Sequence, residues 1–364
     1  MTENSTAKTF PCNSCGAKLE FAPGASKLKC PYCGYQNDLP QVEDDVHELD
    51  FYEFFARAAE EGESEEKQVV KCSSCNAEST VDKNISMSKC PFCGSQLTAQ
   101  ARSSRLIKPG AILPFKFTRN QAAEKFRSWL GELWFAPGDL KRMAGSLDGI
   151  RGMYIPYWTY DSKTTTVYNG ERGENYYETE YYDEQDSNGN VVTRSRQVMR
   201  TRWYTASGTV QNDFDDVLVL AGRSLPEEII GYLQPWDLKN LVPYQDEYMS
   251  GFQAEAYQVD LGAGFETAKS IMDDDIRKTI ERDIGGDQQR IHAARTQYDD
   301  ITFKHILLPV WISAYRYRNK TYRYIVNARN GQAQGERPYS MLKIGLAVSA
   351  AIFILIMLAV IFKQ

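Results

Sequence analysis

The eight cysteines of the chain fall into four Cys-x-x-Cys pairs, which are Cys12 with Cys15, Cys30 with Cys33, Cys72 with Cys75, and Cys90 with Cys93. Such a turn directs two thiolates at one metal ion, and Gly16, Gly34 and Gly94 after three of the pairs permit the tight backbone that it needs. In each half fourteen residues separate the two pairs, and the second half repeats the first sixty residues later. We therefore predict a duplicated four-cysteine zinc ribbon.

Two structural Zn²⁺ ions are the expected occupants of these cysteines. Four sulfur ligands complete a tetrahedron and leave no position for water or substrate, so each ion would hold the fold without doing chemistry. The fourteen-residue gap favours one ion within each ribbon over an exchange between ribbons. The alternatives are disulfides, which a cytosolic location disfavours, and iron in a rubredoxin-like site.

The remaining sequence contains no recognisable catalytic motif, and we expect a protein that is not an enzyme. None of the 25 glycines precedes a lysine, which excludes a Walker loop. His47, His292 and His305 are scattered, without a nucleophile motif beside them. Two acidic groups, Asp213 to Asp216 and Asp273 to Asp275, are predicted to lie on solvated helix faces. Gly262-Ala263-Gly264 lacks the third glycine of a dinucleotide fingerprint and is predicted to be a loop before a helix.

A membrane helix is predicted at the C-terminal end. Ile344 to Phe362 is uncharged for nineteen residues, which as a helix span about 28 Å and cross the hydrocarbon core. Nothing in Met1 to Phe10 resembles a signal peptide, and Arg337 and Lys343 precede the helix. We therefore expect a single-pass tail anchor in the cytoplasmic (inner) membrane, with the N-terminal body in the cytoplasm.

These features divide the chain into zinc ribbon 1 (1–40), an acidic linker (41–68), zinc ribbon 2 (69–100), a cytosolic domain (101–338) and the transmembrane anchor (339–364). From Glu43 to Glu66 eleven acidic residues accompany only Arg57, which predicts a solvated linker with a short amphipathic helix around Phe51 to Glu60. The predicted fold class is multidomain: two small β zinc ribbons, a β-rich α+β middle domain and one transmembrane helix.

A second duplication is predicted inside the middle domain. Helices are expected at Gln121 to Phe135, with Ala122, Phe126, Trp129, Leu130 and Leu133 on one face, and at Phe265 to Asp283, with Phe265, Ala268, Met272, Ile276 and Ile280 on one face. Each helix has a strand before it and a Pro-x-Trp strand after it, at Pro156 with Trp158 and at Pro309 with Trp311.

Two hairpins are also predicted in this domain. One turns at Asp186 to Asn190. The other turns at Asn319 and Lys320, which would place Tyr317 opposite Tyr322 and Arg316 opposite Arg323. The arginines of the second hairpin would then lie close enough to the membrane to contact anionic lipid, although a face exposed only to water is the simpler alternative.

The whole chain resembles a bacterial family of double zinc-ribbon, C-terminally membrane-anchored proteins, often labelled TFIIB-type zinc-ribbon proteins or primosomal protein N' (replication factor Y)-like helicases. The resemblance rests on CPYCG, CPFCG, RDIGGDQQRIH, ILLPVWISAYRY and GERPYS. It implies a membrane adaptor whose partners are phage-shock-protein-A-like or SPFH-type (flotillin-like) proteins. The helicase motor motifs are missing.

We therefore expect a non-enzymatic scaffold whose ribbons recruit protein partners to the membrane. The alternative is nucleic-acid binding by the ribbons, for which Lys18, Lys27 and Lys29 provide the positive charge. A net charge of −6 disfavours a general nucleic-acid binder.

Overall fold

A computed structural model of the chain describes residues 10–25, 27–40, 45–57, 64–81, 89–97, 101–140, 149–185, 189–318 and 320–362. The predicted turn at Asp186 to Asn190 lies partly outside these residues, as does the end of the helix predicted at Phe51 to Glu60.

The strands are β1 (Glu20–Ala22), β2 (Lys27–Lys29), β3 (Gln36–Asp38), β4 (Leu49–Asp50), β5 (Ser64–Lys71), β6 (Glu78–Val81), β7 (Arg102–Ile107), β8 (Ala111–Ile112), β9 (Arg151–Gln185), β10 (Val191–Leu220), β11 (Val242–Pro243), β12 (Gln253–Glu255), β13 (Gln288–Tyr317), β14 (Lys320–Asn327) and β15 (Ala333–Gly335). The helices are α1 (Phe51–Arg57), α2 (Arg119–Glu132), α3 (Glu227–Gly231), α4 (Asp246–Met249), α5 (Leu261–Ile284) and α6 (Met341–Ile361), with a 3₁₀ turn at Leu238–Asn240.

The middle domain is built from two interlocked copies of one unit. The first copy is β8-α2-β9 and the second is β12-α5-β13. In the sheet their strands lie in the order β8-β13-β9-β12, so the short strand of each copy runs parallel to the long strand of the other. The two long strands are antiparallel neighbours at the centre. This arrangement agrees with the predicted duplication and gives it an approximate two-fold axis between β9 and β13.

Equivalent tryptophans join the two copies. Trp158 Nε1 on β9 donates to the carbonyl of Val259, 2.9 Å away, and Trp311 Nε1 on β13 donates to that of Phe117, 2.8 Å away. Both acceptors immediately precede a helix N-cap, which is Asp260 for α5 and Thr118 for α2. Each Pro-x-Trp strand therefore anchors the helix start of the opposite copy.

The two helices begin and pack as their sequences predict. Thr118 and Gln121 form a reciprocal capping box at the start of α2, and Asp260 caps α5 by accepting from the Ala263 N–H. The predicted faces are buried, except that Trp129 is only partly so; the buried members are Ala122, Phe126, Leu130, Leu133, Phe265, Ala268, Met272, Ile276 and Ile280.

The helix of the linker packs one side against the middle domain and exposes the other, where Tyr52 and Phe55 lie. Phe51 in α1 is 7 % exposed and packs 4.9 Å, between ring centroids, from Phe265. Just before the helix, β4 pairs with β13. Although the stretch is strongly acidic, its Phe51 and Phe54 side chains pack against the middle domain.

The predicted register of the β13–β14 hairpin is also wrong. Tyr317 pairs with Lys320, and Tyr315 pairs with Tyr322, a shift of two residues. Arg316 pairs with Thr321, so the predicted opposition with Arg323 does not form. The hairpin turns one residue earlier than predicted, with Arg318 at φ of 46° in the turn. The Arg323 side chain donates to the carbonyl of Ser224.

Candidate metal centres and the membrane-proximal surface

All four cysteine turns have the same backbone geometry. In each, the N–H of the first cysteine donates to the carbonyl five residues later, at 2.7–2.9 Å, and the residue four positions on donates back to the cysteine carbonyl. That residue has a positive φ, as predicted for Gly16, Gly34 and Gly94, and Asn76 with φ of 58° fills the role in the remaining turn. Asn is the non-glycine residue that tolerates this conformation best.

The turns bring the cysteines together as two groups of four, one within each ribbon. The Sγ atoms of Cys12 and Cys33 and those of Cys15 and Cys30 are 3.5 Å apart, and the corresponding distances in ribbon 2 are 3.7 Å. A tetrahedral zinc with Zn–S bonds of about 2.3 Å separates its sulfurs by about 3.8 Å, whereas a disulfide bond is about 2.05 Å long. Both groups fit zinc, and no disulfide joins these cysteines.

Hydrogen bonds to sulfur favour the thiolate at one position of each group. The backbone N–H of Cys33 points at the Cys30 sulfur and lowers the pKa of Cys30 to about 6. In ribbon 2 the hydrogen bond with Cys90 lowers the pKa of Cys75 to about 5. A thiolate is the form that binds metal, and bound zinc deprotonates the remaining thiols.

The two ribbons differ in how far they are embedded. Ribbon 2 belongs to the main sheet, because β6 pairs with β12 and β5 pairs with β6 and β7. Its Phe92, in the knuckle CPFCG, is fully buried in one cluster with Met153 and Ile312. Ribbon 1 forms a separate sheet, β1-β2-β3, and the equivalent aromatic residue Tyr32 is 83 % exposed. The knuckle of ribbon 2 therefore lies in the core, whereas the equivalent knuckle of ribbon 1 lies on the surface.

Ribbon 1 is nevertheless fixed to the body at its other end. The Phe21 N–H donates to the Ser250 carbonyl at 2.9 Å, and the Gly24 N–H donates to the Phe115 carbonyl at 3.0 Å. The Phe21 ring lies 5.2 Å from that of Tyr248. Ribbon 1 is therefore packed against the body, while its knuckle at Tyr32 stays exposed.

Four carboxylates gather near the buried Lys304 in a group that the sequence did not predict. Lys304 on β13 is buried, and its Nζ lies 2.8 Å from both Glu48 and Asp216 and 4.0 Å from Asp161. Asp215 belongs to the same group. The prediction that this Asp run lies on a helix is wrong, because the run forms a bulge of β10 in which Asp216 has φ of 54°. Asp213 and Asp215 are exposed, as predicted.

The Lys304 ammonium pairs with Glu48 and Asp216 in a salt-bridge network. Burial, together with the neighbouring Glu48, raises the pKa of Asp161 to about 7, while the hydrogen bond with Asp161 lowers the pKa of Glu48 to about 2. No sequence pattern predicts this site, because Glu48 and Asp161 are far from Lys304 in the sequence. The aspartates at 273 and 275 do lie on the exposed helix face that was predicted, paired with Arg277 and Lys278.

The three histidines do not come together. His305 is buried beside Trp158, bonded through Nδ1 to the Ile107 carbonyl, and burial lowers its pKa to about 4. His292 is exposed on β13 near Glu171, and His47 is exposed before β4. They form no catalytic constellation among the described residues.

The apolar helix α6 is attached to the body by its first turn. Among the described helices it alone is long and apolar enough to cross a membrane, and no residue of its apolar window is buried. Lys343 Nζ donates to the carbonyls of Trp134 and Ala136, at 3.1 and 2.8 Å, and the Ser340 N–H donates to the Phe135 carbonyl at 2.7 Å. We call these two segments, 134–136 and 339–343, the α2–α6 junction.

The α2–α6 junction carries two exposed aromatic side chains. Trp134 is 79 % exposed and Tyr339 is 56 % exposed, level with the point where the charges end and the apolar run begins. Trp and Tyr are enriched where membrane proteins meet the headgroup region. The junction therefore has the composition of a membrane–water interface, and α6 supports membrane association.

No protein-family model matches this chain. The chain is similar to a Bacillus subtilis (strain 168) protein named Uncharacterized protein YdjG, with 24 % identity over 339 residues, which are 92 % of each chain. The similarity thus extends over nearly the whole of both proteins, and the name of the relative describes no activity.

Proposed function

We propose that this protein is a non-enzymatic adaptor that α6 anchors at the cytoplasmic face of the inner membrane, where ribbon 1 recruits a protein partner. The observation that carries the proposal is the contrast between Tyr32 and Phe92. One knuckle is buried in the core, while its repeat presents an aromatic side chain to solvent.

The exposed knuckle has the properties of a binding surface. Tyr35 is 46 % exposed close to Tyr32, and aromatic side chains are enriched among the residues that dominate binding energy in protein interfaces. A metal site with four sulfur ligands would keep this surface rigid. It would not itself bind a substrate, since no ligand position is open. A rigid surface loses little conformational entropy on binding.

The basic residues on the body side of α6 support the orientation. Arg337 and Lys343 precede the apolar run, and basic residues accumulate on the cytoplasmic side of membrane helices. The family resemblance suggests phage-shock-protein-A-like or SPFH-type membrane proteins as the partner class.

The proposal is tested by purifying the tagged full-length chain from its native membranes after mild cross-linking. We expect Tyr32→Ala combined with Tyr35→Ala to lose a protein that co-purifies with the wild type. Tyr232→Ala, which removes a similarly exposed tyrosine at the end of α3, is the matched control and should retain it. Equal recovery from all three chains, each containing two zinc ions, would refute recruitment by ribbon 1.

Nucleic-acid binding is the second candidate. Lys27 and Lys29 lie on β2 of the ribbon that carries Tyr32, and aromatic and basic residues together can bind single strands. Lys27 is, however, paired with Asp38 at 3.1 Å. Salt-dependent binding of a labelled oligonucleotide that Lys29→Ala and Tyr32→Ala both weaken would favour this candidate over the adaptor.

A further inference from the structure

Strands β9 and β10 continue as a pair beyond the body of the protein. The pairing of β9 with β13 ends at Gly173, opposite Gln288, but β9 and β10 remain paired for twelve more positions, from Glu174↔Arg202 to Gln185↔Val191. At about 3.3 Å per residue this two-stranded hairpin projects roughly 40 Å. We call residues 174–185 and 191–202 the β-arm.

The two strands of the β-arm carry opposite charge. Residues 174–185 contain five acidic residues and no basic one, whereas residues 191–202 contain four arginines and no acidic one. Within the arm the charges pair across one face: Arg194 with Glu184 at 2.9 Å, Arg196 with Glu180 at 2.6 Å, and Arg200 with Glu178. The result is a hairpin with one acidic edge and one basic edge.

Both of these edges lack a neighbouring strand among the described residues. The outer edge of β9 is unpaired beyond Gly173, and β10 pairs only with β9 over its whole length. The face opposite the ion pairs exposes Tyr177 and Tyr181, at 71 % and 72 %, and Met199 at 55 %. Unpaired edges are templates for another strand, and isolated two-stranded hairpins are only marginally stable in water.

We propose that β-arms of separate copies of this chain associate head to tail, the basic β10 edge of one copy pairing with the acidic β9 edge of the next. Each arginine would then lie between two acidic strands, the favourable cross-strand arrangement. This pairing is antiparallel and keeps all arms pointing the same way, as it must for copies anchored in one membrane. A two-fold contact would instead place like-charged edges together, β10 against β10 or β9 against β9.

The contact would repeat from copy to copy. Because its two surfaces differ, it generates a closed ring or an open array and not a simple dimer. Below Gly173 each body is wider than the arm, because β13, β8 and β11 follow β9 in the sheet, so neighbouring bodies would stand farther apart than neighbouring arms. The arms therefore converge towards their tips.

The first test measures the mass of the zinc-loaded full-length chain in detergent by light scattering. We expect a multiple of 41.4 kDa at about 0.1 M salt, falling towards one chain at about 1 M as the charges are screened. A variant in which Asn-Gly replaces residues 174–202 should have the mass of one chain under both conditions. A monomeric wild type would overturn the proposal, and so would association that survives removal of the arm.

A charge-swapped arm tests the pairing itself. Glu178, Glu180 and Glu184 are changed to Arg, and Arg194, Arg196 and Arg200 to Glu, which preserves the ion pairs inside the arm. We expect the swapped chain to assemble with itself but not with a differently tagged wild type, because their facing edges would carry like charge. Preferential co-assembly would indicate a two-fold contact and overturn the head-to-tail arrangement. These measurements involve no partner of ribbon 1, so they fail or succeed separately from the adaptor proposal.

Discussion

The repeated knuckle allows one aromatic side chain to be removed in two environments. Phe92 is fully buried, and Phe-to-Ala changes at such positions cost about 3–5 kcal/mol of unfolding free energy, since apolar contacts are lost and a cavity remains. Tyr32, at the equivalent position, is 83 % exposed, and its removal should alter stability by no more than about 0.5 kcal/mol. With a urea dependence of about 3 kcal/mol per M, Phe92→Ala should lower the unfolding midpoint by about 1 M or more.

The assay is urea unfolding of the full-length protein in detergent, followed by tryptophan fluorescence, with zinc measured on the same samples. Phe92→Leu is the control and should fall between Phe92→Ala and the wild type, because it keeps most of the buried volume. If Phe92→Ala costs less than about 1 kcal/mol, or if Tyr32→Ala costs as much, the assignment of ribbon 2 to the core and of ribbon 1 to the surface is wrong.

Three further predictions concern the metal, pH and the membrane. A chelator should release zinc in two phases, because Cys15 in ribbon 1 is exposed while Cys75 in ribbon 2 is half-buried; Cys15→Ser, but not Cys75→Ser, should abolish the fast phase, and a single phase in the wild type would contradict this. The pKa of Asp161 is raised to about 7 in the folded protein, so the folded state keeps a proton that the unfolded chain releases near pH 4. This group therefore makes the folded protein less stable as the pH rises from about 4 to about 7. The stability of Asp161→Asn relative to the wild type should therefore rise between pH 5 and pH 8; a constant difference in urea midpoints would refute the assignment. In vesicles containing brominated lipid, Trp134→Phe should show less fluorescence quenching than the wild type, and equal quenching would place the α2–α6 junction away from the bilayer.

The sequence was informative wherever a local pattern determines the structure. Cysteine spacing defines the ligand groups because a Cys-x-x-Cys turn is built from adjacent residues, and the periodicity of α5 identifies its buried face before any partner is known. The Lys304 network was not predictable, because Glu48, Asp161 and Asp216 meet the lysine only through contacts between distant parts of the chain. For a similar reason the sequence did not distinguish the two ribbons, since the environment of a knuckle depends on what packs over it.

The hydrogen bonds of Trp158 and Trp311 explain why the middle domain cannot be divided into two independent halves. Each indole N–H is bonded to a carbonyl of the opposite copy, and β8 and β12 pair with strands of the copy to which they do not belong. Removing one copy would leave a buried indole donor and a strand edge without partners, and an unmade buried hydrogen bond costs about 1–3 kcal/mol. The two copies are therefore interlocked as one structural unit, from which the β-arm projects.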